Sequence, residues 1–133
     1  MLKLLIAGSR SIECKTKVQL IITDYVNELI EKGPLRSISD LLIVTGGAKG
    51  VDSYAEEWAR THGVPNLIWH ANWHPHSYGG KKDPDAGYKR NEKMGLASDK
   101  LLAFWDNKSN GTNHMVQYMS GEDKEVRLVI IDD

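Results

Sequence analysis

The chain has little cysteine and no long hydrophobic run, and both absences narrow the class of protein. Its 133 residues contain a single cysteine, Cys14, which excludes an internal disulfide and fits a reducing, cytoplasmic compartment. No apolar stretch reaches the roughly 18 residues that a membrane-spanning helix needs, so no membrane partner is expected. The formal net charge of −1 leaves no general surplus of positive charge and argues against a nucleic-acid partner.

Short apolar runs alternate with segments of helical periodicity along the chain. The apolar runs predict five strands, at Leu2–Ala7, Leu41–Val44, Leu67–Trp69, Lys100–Trp105 and Val126–Ile131. The periodic segments predict helices at Lys15–Lys32, Asp52–His62, Tyr88–Ala97 and Asn113–Ser120. Continuously apolar strands that alternate with helices are typical of a mostly parallel sheet in an α/β protein. We therefore expect residues 1–133 to form one domain with a five-stranded sheet.

Two glycine-containing turns each follow a predicted strand and precede a predicted helix. The first lies within Val44–Asp52, and the second is Ser109–Thr112. Backbone N–H groups at such a turn suit a phosphate, although a plain turn or a helix cap has the same residues. Carboxyl ends of parallel strands share one edge of a sheet, so Gly8–Arg10 and the polar segment Asn72–Gly87 are expected to join both turns there.

The predicted ligand-binding residues are those of the turns, together with two arginines and their neighbours. Arg10 and Arg90 suit a phosphate or carboxylate, but a surface arginine explains each of them as well. The full set is Gly8, Ser9, Arg10, Thr45, Gly46, Gly47, Ala48, Gly50, Asp52, Arg90, Asn91, Ser109, Asn110, Gly111 and Thr112. The candidates for stacking on a base are Trp73, Tyr78 and Trp105, with packing under a loop as the alternative.

Two other clusters of side chains have weaker interpretations. His70, His74 and His76 have a spacing that would need a helix and a strand at once, and no carboxylate or cysteine lies close enough to complete a standard site. No metal and no cofactor are therefore predicted. The basic residues Lys81, Lys82, Lys89, Arg90 and Lys93 form either a local positive patch or a solvated face.

Several short motifs along the chain form a recognisable combination, namely Gly8-Ser9-Arg10, Val44–Asp52 with Ala55 and Trp58-Ala59, Arg90-Asn91 with Met94, Ala97-Ser98-Asp99, Ala103–Asp106 and Ser109–Thr112. In this combination the chain resembles the YspA/YpsA-related branch of the SLOG superfamily. The resemblance implies a single Rossmann-like three-layer domain that binds a nucleotide or a nucleotide-derived ligand, and a homo-oligomer. Relatives include LOG-type phosphoribohydrolases, the DNA-processing protein A family and sensor domains tied to anti-phage signalling.

One position departs from the LOG-type enzymes, which carry Pro-Gly-Gly-x-Gly-Thr-x-x-Glu with a catalytic glutamate. When the motif is aligned on Gly111-Thr112, the glutamate position is Met115. A positioned acid or base contributes about 10²–10⁴ in rate, so we expect a pocket without turnover. The substitute catalytic candidates are His114, Asp52 and Asp106.

Three functions follow from these observations. The first is binding of a nucleotide-derived signalling ligand by a sensor or sequestering protein, with phage–host conflict as one setting. The alternative is an N-glycosidic hydrolase of nucleoside monophosphates or ADP-ribose derivatives. The second alternative is a DNA-binding module, which the segment Lys81–Lys93 favours and the net charge opposes.

Overall fold

The computed structural model describes residues 1–76 and 79–131, in which strands and helices alternate. The strands are β1 (Leu2–Gly8), β2 (Leu41–Thr45), β3 (Asn66–Ile68), β4 (Lys100–Trp105) and β5 (Glu125–Ile130). The helices are α1 (Lys15–Lys32), α2 (Val51–Thr61), α3 (Ala86–Ala97) and α4 (Asn110–Gly121). A short 3-10 helix at Ile38–Asp40, which the sequence pattern did not predict, precedes β2.

The five strands form one sheet in the order β3-β2-β1-β4-β5. Every neighbouring pair is parallel, which confirms the predicted α/β class and sharpens the expectation of a mostly parallel sheet. Leu5 of β1 lies beside Val44 on one side and Leu101 on the other. The chain moves outward from β1 to β3 and then returns to β4, so a crevice opens beyond the carboxyl ends of the central strands.

Both faces of the sheet are covered by helices. Leu4 and Ile6 belong to a core cluster with residues of α1 and α2, whereas Leu5 packs with Met94, Met115 and other residues of the α3–α4 side. Side chains alternate along a strand, so a strand that is buried on both faces must be apolar at every position. This is why the apolar run at the start of the chain correctly predicted a strand that is buried on both faces.

Several element boundaries differ from the predicted ones. Helix α4 begins at Asn110 rather than Asn113, so the supposed turn at Ser109–Thr112 is the cap and first turn of the helix. The Asn113 N–H group already donates to the Ser109 carbonyl oxygen, at 3.3 Å. Helix α3 begins two residues before its predicted start, and β3 ends one residue earlier, before Trp69. Helix ends are the least determined part of a periodic pattern.

Helix α1 is the longest helix, with 18 residues, and it is amphipathic. It buries Val18, Ile22, Tyr25, Val26 and Leu29 against the sheet at the spacing of one helical face. None of the helices in the described ranges is long and apolar enough to cross a bilayer.

Candidate functional site

A cavity of about 500 Å³ lies at the carboxyl ends of β1, β2 and β4. All four segments that were expected to meet at this edge contribute to its walls, which confirms that they converge. The predicted ligand residues that line it are Gly8, Arg10, Gly46, Ala48, Asp52, Arg90, Asn91, Ser109, Gly111 and Thr112, together with the predicted stacking residue Trp73. A volume of this size is typical of a small-molecule site.

Other predicted residues lie behind the cavity wall. Ser9 is buried, and its Oγ accepts a hydrogen bond from the Asp106 N–H at 3.1 Å. Thr45 is buried as well, and its hydroxyl donates to Glu56 Oε2 at 2.8 Å. Both side chains therefore join neighbouring segments and do not face a ligand.

Four more predicted residues do not line the cavity, and one cannot be placed. Gly47 faces His70 and Ile68, and the side chain of Asn110 is exposed on α4. The Trp105 indole donates to the Ser109 carbonyl oxygen at 2.9 Å, which places it under the start of α4 rather than on a base. Gly50 lies against the backbone of Arg10. The remaining stacking candidate, Tyr78, lies outside the described residues.

The turn after β2 is closed by a buried aspartate. Asp52 Oδ2 accepts hydrogen bonds from the Gly46 and Ala48 N–H groups, both at 3.1 Å, and Asp52 is only 6% exposed. Burial raises the pKa of Asp52 to about 6, although the Ala48 and Gly46 amides and the Arg90 charge act in the opposite direction. Two of the amides that were expected to hold a phosphate, those of Gly46 and Ala48, are thus already occupied.

At two positions of this turn only glycine fits, because another part of the chain lies too close for a Cβ atom. Gly50 has a φ of +76°, and a Cβ there would lie 3.2 Å from the Arg10 carbonyl oxygen. A Cβ on Gly46 would lie 2.7 Å from Arg90 Nη1. Glycine at these positions lets the chain turn and lets the arginine reach the backbone.

Arg90 is fixed by hydrogen bonds that leave part of its guanidinium unused. Its Nη1 donates to the Gly46 carbonyl oxygen at 2.7 Å and to the Trp69 carbonyl oxygen at 3.2 Å, and its Nε donates to Asn91 Oδ1 at 2.9 Å. Within the described residues, Nη2 donates to no protein acceptor. An arginine held in this way can present two N–H groups to an oxyanion without losing further side-chain freedom.

A second arginine adds positive charge at the same edge. Burial lowers the pKa of Arg90, the Asp52 charge raises it, and the Arg10 charge lowers it again. Arg10 is exposed and lines the cavity. In the described part of the chain neither arginine forms a salt bridge with a carboxylate, although the Asp52 charge partly offsets that of Arg90. Both guanidinium groups therefore add positive charge at the cavity that favours an anionic ligand.

The segment before α4 is organised by Asp106. Its Oδ2 accepts from the Ser11 hydroxyl at 2.6 Å, and its Oδ1 accepts from the Ser109 and Lys108 N–H groups at 2.8 and 2.9 Å. These hydrogen bonds hold the pKa of Asp106 well below its usual range. The carboxylate is therefore ionised, and both of its oxygens accept hydrogen bonds from neighbouring loop residues.

The N-terminus of α4 remains open to the cavity. The first N–H groups of a helix have no carbonyl partner within it, and the Ser109 side chain makes no capping hydrogen bond. Gly111 and Thr112, in this first turn, both line the cavity. Their amides and the helix dipole favour a negative group at this point.

The floor of the cavity is apolar. Ile6, Ala7, Met94 and Met115 line it, and Met115 is only 1% exposed. Met115 stands where the resembling LOG-type enzymes have their glutamate, so no acid or base projects from that position.

The three catalytic candidates differ in placement. Asp52 and Asp106 line the cavity, but both carboxylates accept hydrogen bonds that hold the surrounding loops. His114 does not line it; its Nε2 lies 3.6 Å from Glu92 Oε2, and its ring centroid lies 4.6 Å from that of Tyr88. Among the described residues, no group of three histidine, cysteine or acidic side chains is arranged to hold a metal ion.

Some lining residues were not among the predicted ligand residues, namely Ile6, Ala7, Ser11, Pro84, Gly87, Tyr88, Met94 and Met115. Gly87, Arg90, Asn91 and Met94 follow the i, i+3, i+4, i+7 spacing of a single helical face. That spacing was available in the sequence once Arg90 had been singled out. Ser11 and Pro84 carried no such signal, because loop paths set their positions.

The fold and the sequence both have recognisable relatives. DNA processing protein A from Streptococcus pneumoniae superposes with a TM-score of 0.71 at 18% identity, over 96% of this chain and 50% of that chain. DNA processing protein A from Helicobacter pylori, described for its mode of binding single-stranded DNA, gives a TM-score of 0.65 at 19% identity, over 96% and 64%. The chain thus spans half to nearly two thirds of these proteins and shares their Rossmann-like fold.

Sequence similarity identifies the family. The model of the YspA, cpYpsA-related SLOG family matches residues 2–76, and the chain belongs to that family. It is also 36% identical over 123 residues to the gene 61 protein of Mycobacterium phage D29, covering 88% of this chain and 87% of the relative. The resemblance stated from the motifs is therefore confirmed.

Proposed function

We propose that this protein binds a nucleotide or nucleotide-derived anion in the cavity at the carboxyl ends of β1, β2 and β4. The observation that carries the proposal is the convergence of Arg10, Arg90 and the open N-terminus of α4 on one cavity. Membership of a SLOG family supports a ligand of this chemistry. The proposal treats residues 1–133 as one domain, because the cavity draws on loops from both halves of the sheet.

The phosphate is assigned to the α4 side of the cavity. Arg90 supplies Nη2, the first turn of α4 supplies the Gly111 and Thr112 N–H groups, and Arg10 supplies charge. The turn after β2 is not used for this purpose, because Asp52 occupies its Gly46 and Ala48 amides and adds negative charge there.

We propose further that the ligand leaves the protein unchanged. Cleavage of an N-glycosidic bond needs a positioned acid or base, and the relevant floor position is the buried Met115. A binding protein without turnover acts as a sensor or as a sequestering protein. The relative from a mycobacterial phage supports a setting in phage–host conflict. Homo-oligomerisation stays a prediction.

The fate of the ligand tests this proposal. The protein is incubated with AMP, ADP-ribose, cyclic ADP-ribose isomers and NAD, and the bound and free fractions are analysed by mass spectrometry. Recovery of an intact nucleotide from the protein is expected. Free base together with ribose phosphate would instead establish a hydrolase and redirect attention to His114.

Substitution of Arg90 tests the assignment of the phosphate. Arg90→Ala is expected to lower the affinity for the bound nucleotide by about 10- to 150-fold, because a charge-assisted contact contributes about 1.5–3 kcal/mol. Arg36→Ala is the matched control, since Arg36 is exposed ahead of β2 at the opposite edge of the sheet. Equal affinities of the two variants in calorimetry would remove Arg90 from the site.

A second candidate is single-stranded DNA, which the sequence analysis had disfavoured. The Lys82 Nζ lies 5.2 Å from the centroid of the Trp73 ring at the cavity edge, a pairing of cation and aromatic that suits a stacked base beside a backbone phosphate. The Helicobacter pylori protein of the same fold is described as binding single-stranded DNA. If this is the function, the affinity for an oligothymidylate must fall steeply with salt. A flat salt profile would eliminate it.

A further inference from the structure

We infer that Trp73 and Tyr88 form an aromatic site for the heterocycle of the ligand, so that the cavity selects a complete nucleotide over a sugar phosphate. The inference rests on the proposed function of the same cavity. Tyr88, which was not among the predicted site residues, thereby joins Trp73 in stacking on the base of the ligand.

Both rings line the cavity and remain accessible. Trp73 is 38% exposed and Tyr88 is 41% exposed, whereas Trp58, Tyr25 and Phe104 are buried in the core. Lys82 Nζ lies over the Trp73 ring, 5.2 Å from its centroid, and the exposed remainder of both aromatic surfaces is available for stacking. Every nucleobase has a flat face that can use it.

The aromatic site lies next to the phosphate site along α3. A Cβ on Gly87 would lie 3.3 Å from Trp73 Cη2, so the indole rests on the first turn of the helix. Arg90 follows Gly87 by three residues, about 4.5 Å along the helix axis. A ligand with a base at one end and a phosphate at the other can therefore contact both groups at once.

The loop that carries Trp73 is pinned to α3. The Asp83 N–H donates to the Trp73 carbonyl oxygen at 2.6 Å. Asp83 is buried, and its Oδ2 accepts from Lys89 Nζ at 2.7 Å. The loop backbone is thereby fixed to the same helix that presents Arg90, which holds the two parts of the site in register.

Tyr88 is held from its other side. Its ring contacts the His114 ring edge-on, with 4.6 Å between the centroids. The contact restrains the tyrosine at the cavity wall, since an edge-to-face pair has a preferred geometry. The phenol thus offers a ring surface that is already oriented.

The experiment compares two probes that differ only in the base. Binding of AMP and of ribose 5-phosphate is measured by calorimetry for the wild type, Trp73→Ala, Tyr88→Ala and Arg90→Ala. Each aromatic-to-alanine change is expected to weaken AMP binding about tenfold or more while ribose 5-phosphate binding stays within about twofold. Arg90→Ala is expected to weaken both.

Conservative variants and a remote change serve as controls. Trp73→Phe and Tyr88→Phe retain a ring and are expected to retain most of the AMP affinity. Leu96→Ala alters an exposed apolar residue at the far end of α3, outside the cavity lining, and should change nothing. AMP should also quench tryptophan fluorescence in the wild type, and this quenching should be lost in Trp73→Phe.

The outcomes separate this inference from the function on which it rests. Equal binding of AMP and ribose 5-phosphate by the wild type would overturn the aromatic site and leave the anion site intact. Equal losses for both probes in Trp73→Ala and Tyr88→Ala would show a structural role and also overturn it. If the wild type binds neither probe nor any ligand of the larger panel, the proposed function itself fails.

Discussion

The turns after β2 and β4 are each closed by an aspartate side chain that accepts hydrogen bonds from backbone N–H groups, but the two aspartates lie on opposite sides of those groups in the sequence. Asp52 lies in the first turn of α2 and reaches back to the Gly46 and Ala48 amides, whereas Asp106 precedes α4 and reaches forward to those of Lys108 and Ser109. Each aspartate completes a turn. Gly111 and Thr112 in the first turn of α4 line the cavity, and α2 contributes only Asp52 of its own first turn.

The comparison teaches that glycines alone do not define an anion site. A glycine-rich turn offers amides, but an internal carboxylate can occupy them before any ligand does. The turn after β2 therefore serves to position Arg90 through the Gly46 carbonyl, while the first turn of α4 retains the free donors. Unoccupied donors, rather than glycine content, indicate where a phosphate can bind.

The largest expected effect is a difference in the unfolding free energy that is lost when each of the two aspartates is replaced by alanine. Asp52→Ala leaves the Gly46 and Ala48 N–H groups without their acceptor in a buried place, which costs roughly 2–4 kcal/mol of unfolding free energy. Asp106→Ala is expected to cost less than half as much, because its loop is partly exposed and water can replace the carboxylate. Urea denaturation of both variants measures this, and equal losses would remove the distinction.

The pH dependence of stability is expected to have opposite signs at the two aspartates. Burial raises the pKa of Asp52 from 3.8 to about 6, so its contribution is fully present below about pH 4 and is lost as the pH rises through 6. Hydrogen bonds, first from the Ser11 hydroxyl and then from the Ser109 and Lys108 amides, lower the pKa of Asp106. Its contribution is present above the unfolded value of 3.8 and is lost as the pH falls.

Denaturation of the wild type, Asp52→Asn and Asp106→Asn between about pH 3 and 7 tests these signs. As the pH rises, the stability advantage of the wild type over Asp52→Asn should shrink, and its advantage over Asp106→Asn should grow. Curves that run in parallel would contradict the assigned pKa shifts.

The smallest expected effect is the change in AMP affinity when a hydroxyl is removed from the third residue of either α4 or α2. Thr112 is the third residue of α4 and lines the cavity, while Ser53 is the third residue of α2 and donates to the Gly50 carbonyl oxygen at 2.8 Å. Thr112→Val is expected to weaken AMP binding about tenfold, the value of one hydrogen bond to a charged group. Ser53→Ala should leave the affinity within about twofold. A larger loss of AMP affinity in Ser53→Ala than in Thr112→Val would instead indicate that the anion binds at the N-terminus of α2.

Much of the fold was predictable from local patterns. The strand β4 and the helix α1 were predicted at their observed bounds, and the other predicted strands and helices were each found within a few residues. Continuous apolarity indicated buried parallel strands, and helical spacing indicated the amphipathic helices, because both patterns arise from the geometry of single elements. The boundary at Asn110 was missed, since the glycine at 111 is equally compatible with a turn and with a first helical turn.

The candidate site was less predictable, because it depends on what each polar atom contacts. Ser9 and Thr45 have the residue types of a ligand site, yet the Ser9 hydroxyl accepts from the Asp106 N–H of a segment distant in sequence and the Thr45 hydroxyl donates to Glu56 of α2. Tyr88 carried no motif and nonetheless lines the cavity. Hydrogen bonds between segments distant in sequence leave no trace in local periodicity.

By itself, the sequence determined the α/β class, the alternation of elements and the edge of the sheet where the loops meet. These follow from apolar spacing and from the common direction of parallel strands, which local physics dictates. Only the tertiary structure decided which donors remain free, because the strand order β3-β2-β1-β4-β5 places α3 beside the turn after β2, where Arg90 Nη1 donates to the Gly46 carbonyl oxygen. Competition among polar groups for partners is settled by the distances between elements, and those exist only after folding.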